Sequence, residues 1–223
     1  MSKKIMLLAL AVASVAMFAV PAGASAQELH LTGVSSFSGT SGAGSLTAEG
    51  EPTITCESGE ISGNVETGGT TGTITFDFFS CHTTVFGFTA KCRTSGSAAD
   101  NTISTGGTFH FITTPLGTHT SAAIMVTPAT TTVVCAGISN TIVHGDIIGT
   151  IIDNGSNSVT CTRAGKILVT QFVSSSNIQE HDVYTGVTHA LTATTGESGT
   201  AKTAGLNATG TTETATTGTL DCT

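Results

Sequence analysis

The 223-residue chain has no tryptophan, a single tyrosine, four prolines and few charges, with Asp, Glu, Lys and Arg making up 10% of it. Basic residues are the scarcest, seven Lys and Arg against fifteen acidic residues. So few cations leave little with which to clamp phosphate or sulfate. The acidic excess argues against nucleic acid and anionic membrane surfaces as partners. With Tyr184 as the lone tyrosine, the aromatic platforms on which sugars stack are missing as well. Local signatures of catalysis are also absent: no G-x-S-x-G nucleophile elbow, no H-E-x-x-H zinc motif, and no S-x-x-K beyond the N-terminal segment. No C-x2-C pair occurs, so a zinc site has no local support.

What is present begins with Lys3 and Lys4, an apolar run over residues 5–20, Pro21, and "ASA" at 24–26. That order predicts a secretory signal peptide over residues 1–26 and a mature chain that begins at Gln27. The apolar run is short for a membrane span, and no second one follows, so no membrane insertion is expected after cleavage. The mature part carries five basic residues against fifteen acidic, a formal charge of −10, and 45 threonines. Thr, Val and Ile favour strands, and the 27 glycines supply turns. The expected class is all-β: a single antiparallel β-sandwich, or barrel-like, domain over residues 27–191. Residues 192–219 contain Leu206 as their one large apolar side chain. On composition, 192–223 reads as a flexible tail or edge loop, tied back by Cys222.

The stretch "TITCESGEISGNVETGGTTGTITFDFFSCH" (53–82) reads as a hairpin. A two-residue turn at Gly68 and Gly69 sets Cys56 opposite Cys81, as a cross-strand disulfide requires. It also sets Ile61 against Phe76 on an apolar face, with Ser58, Glu60, Ser62 and Asn64 on a polar one. The register puts Glu60 directly opposite Asp77, and like charges so placed weaken a ladder. Three readings answer that conflict. A longer turn could shift the pairing, the carboxylates could hold a hard cation such as Ca²⁺, or one could be protonated and act as an acid.

All six cysteines lie beyond the signal segment, and an even count in an exported chain favours three disulfides. Beside Cys56–Cys81, Cys92 and Cys135 end alternating strands that bracket a turn at Pro115 and Gly117 and are expected to pair. Cys161 and Cys222 remain for each other. At "GTITFDFFSC", "FGFTAKCRTSG", "TTVVCAG" and "VHGDIIGT" the chain resembles secreted β-rich proteins of soil bacteria, over roughly residues 50–175. The resemblance implies export, a β-rich fold and counterparts of Cys56, Cys81, Cys92 and Cys135. It implies no activity, and the Thr-rich segment, Cys161 and Cys222 depart from it.

Seven histidines are scattered singly. His110 and His119 flank one turn and could meet across a hairpin, where a carboxylate would complete a Zn²⁺ or Cu²⁺ site. "EHD" at 180–182 with His144 or His189 is a second candidate cluster. The metal candidates are therefore Glu60, Asp77, His110 and His119; no catalytic residue and no cofactor is expected. The functional expectation is a secreted, non-catalytic protein with a structural, adhesive or ligand-binding role at or outside the cell surface. Its partner would be the cell envelope or a small ligand. The alternative is an extracellular hydrolase or metal-dependent enzyme whose site is assembled from scattered His and Asp/Glu. Convergence of Glu60, Asp77 and a histidine in one concave pocket would favour that alternative.

Overall fold

The computed structural model describes residues 28–116, 119–138, 140–152, 163–196 and 199–222. The expected signal peptide lies outside the described residues, and so do Cys161 and hence the expected Cys161–Cys222 bond. After a short β1 (Leu29–Thr32), the chain is a meander of long antiparallel strands, most of them broken once near the middle. β2 (Ser36–Ser41) leads into β3 (Gly44–Ala48), β4 (Ile54–Cys56) into β5 (Ser58–Val65), and β6 (Thr71–Phe79) into β7 (His82–Val85). β8 (Phe88–Thr94) precedes β9 (Ile103–Leu116), β10 (His119–Pro128) precedes β11 (Thr131–Cys135), and β12 (Thr141–Gly145) precedes β13 (Ile147–Ile152). β14 (Arg163–Phe172) is followed by two small hairpins, β15 (Ser174–Ser175) with β16 (Ile178–Gln179) and β17 (Val183–Tyr184) with β18 (Val187–Thr188). β19 (Leu191–Thr195) and the 21-residue β20 (Lys202–Cys222) complete the chain.

β2, β5, β6, β9, β10, β13, β14 and β20 form a closed eight-stranded ring, sealed by the β14–β20 and β2–β20 ladders. β3, β4, β7, β8, β11, β12, β19 and β20 repeat the same order in a second circuit, which β20 completes through β19 and β3. The molecule is thus a barrel of two tiers, here called upper and lower. Of the two forms expected for an all-β chain, sandwich or barrel, the ladders draw the barrel. Period-two alternation explains the wall. Ile61, Ile74, Phe76, Phe109, Phe111, Ile124, Val126 and Phe172 point inward and are buried in one cluster. Ser58, Glu60, Ser62, Asn64, Thr73 and Thr75 point outward and are exposed. A wall apolar inside and polar outside is the reverse of a membrane-spanning barrel, which carries its apolar band outside. Among the described residues, no helix is long and apolar enough to cross a membrane.

β1 lies across the upper end. It pairs with the end of β20, the Leu31 amide donates to the Gly69 carbonyl at 2.8 Å, and Glu28 bridges to Ile112 of β9. Because β9 stands four places from β20 in either direction around the ring, β1 spans the mouth as a lid, with Leu29 and Leu31 buried beneath it. This lid explains Gly69. Its φ is +77°, and a Cβ there would lie 2.5 Å from the Leu31 carbonyl oxygen.

The β5–β6 register is the expected one, with Ile61 facing Phe76 and Glu60 facing Asp77. The turn is longer than the two residues expected. The Glu66 amide donates to the Thr71 carbonyl, and the Gly69 amide to the Glu66 carbonyl, so residues 67–70 form the loop. The extra residues add symmetrically on both sides of Gly68 and Gly69, and the pairing does not shift. Cys56–Cys81 and Cys92–Cys135 are both bonded. They sit side by side in the lower tier, the Cys92 amide donating to the Cys81 carbonyl at 2.9 Å.

Residues 192–219 correct the expectation of a flexible tail or loop. They supply the end of β19 and most of β20, the strand common to both tiers. Composition misled because β20 buries small residues, Ala204, Gly210, Thr212 and Gly218 among them, and its neighbours provide the bulk. Gly210, for instance, leaves room for Ile61, whose Cδ1 would lie 2.4 Å from a Cβ at that position. Where β14 has left β20 and β19 has not yet joined it, side-chain amides complete the ladder. The buried Gln179 accepts from the Leu206 amide at 3.0 Å and donates to the Leu206 and Val173 carbonyls. Asn207 exchanges hydrogen bonds with Ser174 in the same way.

Candidate functional site

Of the metal candidates, Glu60 and Asp77 face each other across the β5–β6 ladder, and His110 stands apart from them on β9. Asp77 accepts a short hydrogen bond from the Ser104 hydroxyl, its neighbour across the β6–β9 ladder. Glu60 lies between Asp77 and Thr40 and is exposed. The like-charge conflict is therefore met by turning one carboxylate to a hydroxyl on its far side and leaving the other in water. His110 is six residues further along β9 from Ser104, roughly 20 Å at the rise of an extended strand. In the register of their hairpin His110 pairs with Met125 and His119 with Leu116, so the two histidines are not opposite each other. Among the described residues, no group of three or more His, Cys, Asp or Glu side chains is placed to hold a metal ion.

A cluster that the sequence only hinted at lies on the outer wall, where the excursion between β14 and β19 folds over β9, β10 and β13. Ile112, Ala123 and Ile148 point outward there, yet are buried together, with Met125 and Tyr184 packed on them. Around this patch His110 lies 3.7 Å from the Glu28 carboxylate, and its ring meets Tyr184 edge-on at 5.7 Å. His189 pairs through Nδ1 with Asp146 at 2.8 Å, and its amide donates to the Asp182 carbonyl at 2.6 Å. Burial, and then the Glu28 carboxylate, pushes the Tyr184 phenol above its ordinary value. Of the suspected "EHD" cluster, Asp182 thus contributes a backbone carbonyl to His189, while His144 turns to the Thr192 hydroxyl at 3.1 Å. The arrangement clamps the excursion to the wall.

The concave space is inside. A cavity of about 100 Å³ occupies the junction of the two tiers, lined by Phe76, Phe78, Ile103 and Val126 from above and by Leu46, Ile54, Val133 and Leu206 from below. A smaller one of about 30 Å³ lies above, among Phe37, Phe111, Ile124 and Phe172, and shares Phe76 with the first. A third of about 20 Å³ lies below, among Ala48, Glu51, Ile138 and Thr195, and shares Leu46 and Ile54 with the first. The three form a string along the barrel axis. On the wall beside β20, a groove of about 400 Å³ shares Gly44 and Ser45 with the central cavity.

A cavity of this kind lowers stability. At roughly 24 cal/mol per Å³ of unfilled core, the central one forgoes about 2 kcal/mol of packing. An eight-stranded barrel is just wide enough either to be filled by side chains or to hold one small ligand. The upper tier is filled except for its cavity of about 30 Å³, and the junction leaves more room. No local motif announces such a site, because the residues that line it are an ordinary strand pattern of Ile, Val, Leu and Phe. Compared with known proteins, the chain matches no family model, no curated protein and no solved structure.

Proposed function

We propose that this is an exported, non-catalytic binding protein that carries a small apolar ligand inside its barrel. The observation that carries the reading is the apolar cavity of about 100 Å³ at the tier junction. Apolar cavities stay dry and take up apolar guests, and concave apolar sites are the usual form of small-molecule pockets. Export is supported by the basic, apolar and "ASA" order of residues 3–26 and by the two disulfides, which persist in oxidising compartments. The polar outer wall suits a barrel surrounded by water.

A neutral fluorescent naphthylamine, N-phenyl-1-naphthylamine, tests the reading. Its emission should rise and saturate on addition of the mature protein. Leu206→Phe, which places a ring in the central cavity, should weaken that binding at least about tenfold, the scale on which losing a fitted apolar site acts. A wild-type protein that leaves the probe dark, or a Leu206→Phe variant that binds it as well, would contradict the assignment.

A further inference from the structure

We propose that the ligand is a single-chain amphiphile with an uncharged hydroxyl head, its tail along the axial cavities and its head at the lower end beside Thr195 and Glu51. This deepens the reading of the barrel as a binding protein and rests on it.

The shape of the space argues for a chain. The three cavities succeed one another along the axis and share few side chains, Phe76 at one junction and Leu46 with Ile54 at the other. A rigid ring system would fill the central space alone. An unbranched chain can run from the central cavity into its neighbours with only those contact side chains yielding. β1 closes the upper end, so the chain's apolar end lies upward and its head downward.

The lower cavity differs in chemistry from the central one. Thr83, Thr141, Thr195 and Glu51 join its lining. The Thr83 hydroxyl is committed, donating to the Thr53 carbonyl at 2.8 Å. The Thr195 hydroxyl is buried and has no hydrogen-bond partner among the described residues, a condition native proteins seldom leave without reason. A ligand hydroxyl answers it, since a hydroxyl both donates and accepts. A carboxylate head does not fit so well. Glu51 lines the cavity itself, its Oε1 holding the Lys202 ammonium at 2.7 Å, so the charge of Lys202 is already neutralised. An added anion would face the second Glu51 oxygen unaided, whereas a ligand hydroxyl can donate to it.

The test displaces N-phenyl-1-naphthylamine from the mature protein with 1-octanol, octane and octanoate at neutral pH. Octanol should displace the probe at lower concentration than octanoate. In Thr195→Val the ratio of octanol to octane affinity should fall roughly three- to tenfold, the usual worth of one hydrogen bond, and Thr195→Ser should restore it. Matching thermal melts for the three proteins would place the change at the site. An unchanged ratio in Thr195→Val, or octanoate as the tightest of the three, would overturn the head-group assignment while the apolar-binding reading stood. Failure of all three to displace a bound probe would overturn the chain-shaped ligand. Failure of the probe itself to bind would overturn both.

Discussion

The two tiers share one wall and one strand order, yet they are held together differently. The upper tier is packed with rings around one cavity of about 30 Å³: Phe37, Phe109 and Phe111 meet edge-on at 5.6 and 5.1 Å, and Leu29 and Leu31 of β1 seal the top. No cross-link is seen there among the described residues. The lower tier is narrower in its materials, with Ala48, Ala193, Ala204, Ile54 and Val133 turned inward, and it carries both observed disulfides. The two observed disulfides lie where packing is thin. Under the proposed binding role, a hollow kept open for a guest cannot be stabilised by filling it, whereas cross-linking the wall stabilises it without occupying the space.

The largest effect should come from the strand that belongs to both tiers. Deleting residues 202–222 opens both circuits, because β20 closes each of them. The truncated protein should lose its cooperative melt, followed by circular dichroism; a folded truncation would mean that the tiers do not depend on their shared strand.

Next comes the contrast in cross-linking. Replacing Cys56 and Cys81 together by serine frees a loop of 25 residues, worth about 3–4 kcal/mol in the chain-entropy account. Amide exchange should accelerate most in β3, β4, β7 and β8 and least around Phe109 and Phe111. Uniform acceleration through both tiers would erase the distinction.

A smaller, two-signed effect separates filled from hollow. Ala122 is fully buried in the upper core, and Ala122→Leu should destabilise by about 1–3 kcal/mol through overpacking. Leu206→Phe at the central cavity should instead stabilise by about 1–2 kcal/mol, recovering part of the unfilled volume. Denaturant midpoints that move in the same direction for both would contradict the contrast.

The smallest effect belongs to the β7–β8 hairpin at the lower end. Phe86 and Gly87 form its two-residue turn with φ of +50° and +83°, where a phenylalanine is disfavoured and asparagine fits. Phe86 is 96% exposed, so it gains nothing from burial. Phe86→Asn should raise stability by about 0.5–1 kcal/mol, read as a higher melting temperature.

The β5–β6 hairpin was largely legible in the sequence. The cysteine positions and the alternation of Ile61, Ile74, Phe76 and Phe78 independently implied one register, and it held even though the loop proved to have four residues. The Cys161–Cys222 bond stays an expectation of the sequence, and peptide mapping without reduction should recover the two cysteines in one fragment. β20 was illegible because, apart from Leu206 and Leu220, its inward residues are Ala, Gly and Thr, which carry no hydrophobic contrast until their neighbours are known. The Glu60–Asp77 pair was legible as a conflict but not in its resolution, since Ser104 lies 27 residues downstream. The cavity was illegible in principle. It is a mismatch between the volume a ring encloses and the volume of its inward side chains, and that sum exists only once the ring has closed.

The most direct measurement is a crystal of the mature protein pressurised with xenon, which enters dry apolar cavities. The account predicts a xenon atom at the tier junction among Phe76, Ile103, Val126 and Leu206, and its loss in Leu206→Phe. A junction that admits no xenon, or xenon seated instead among Phe37, Phe109 and Phe111 of the upper tier, would contradict the hollow on which the proposed function rests.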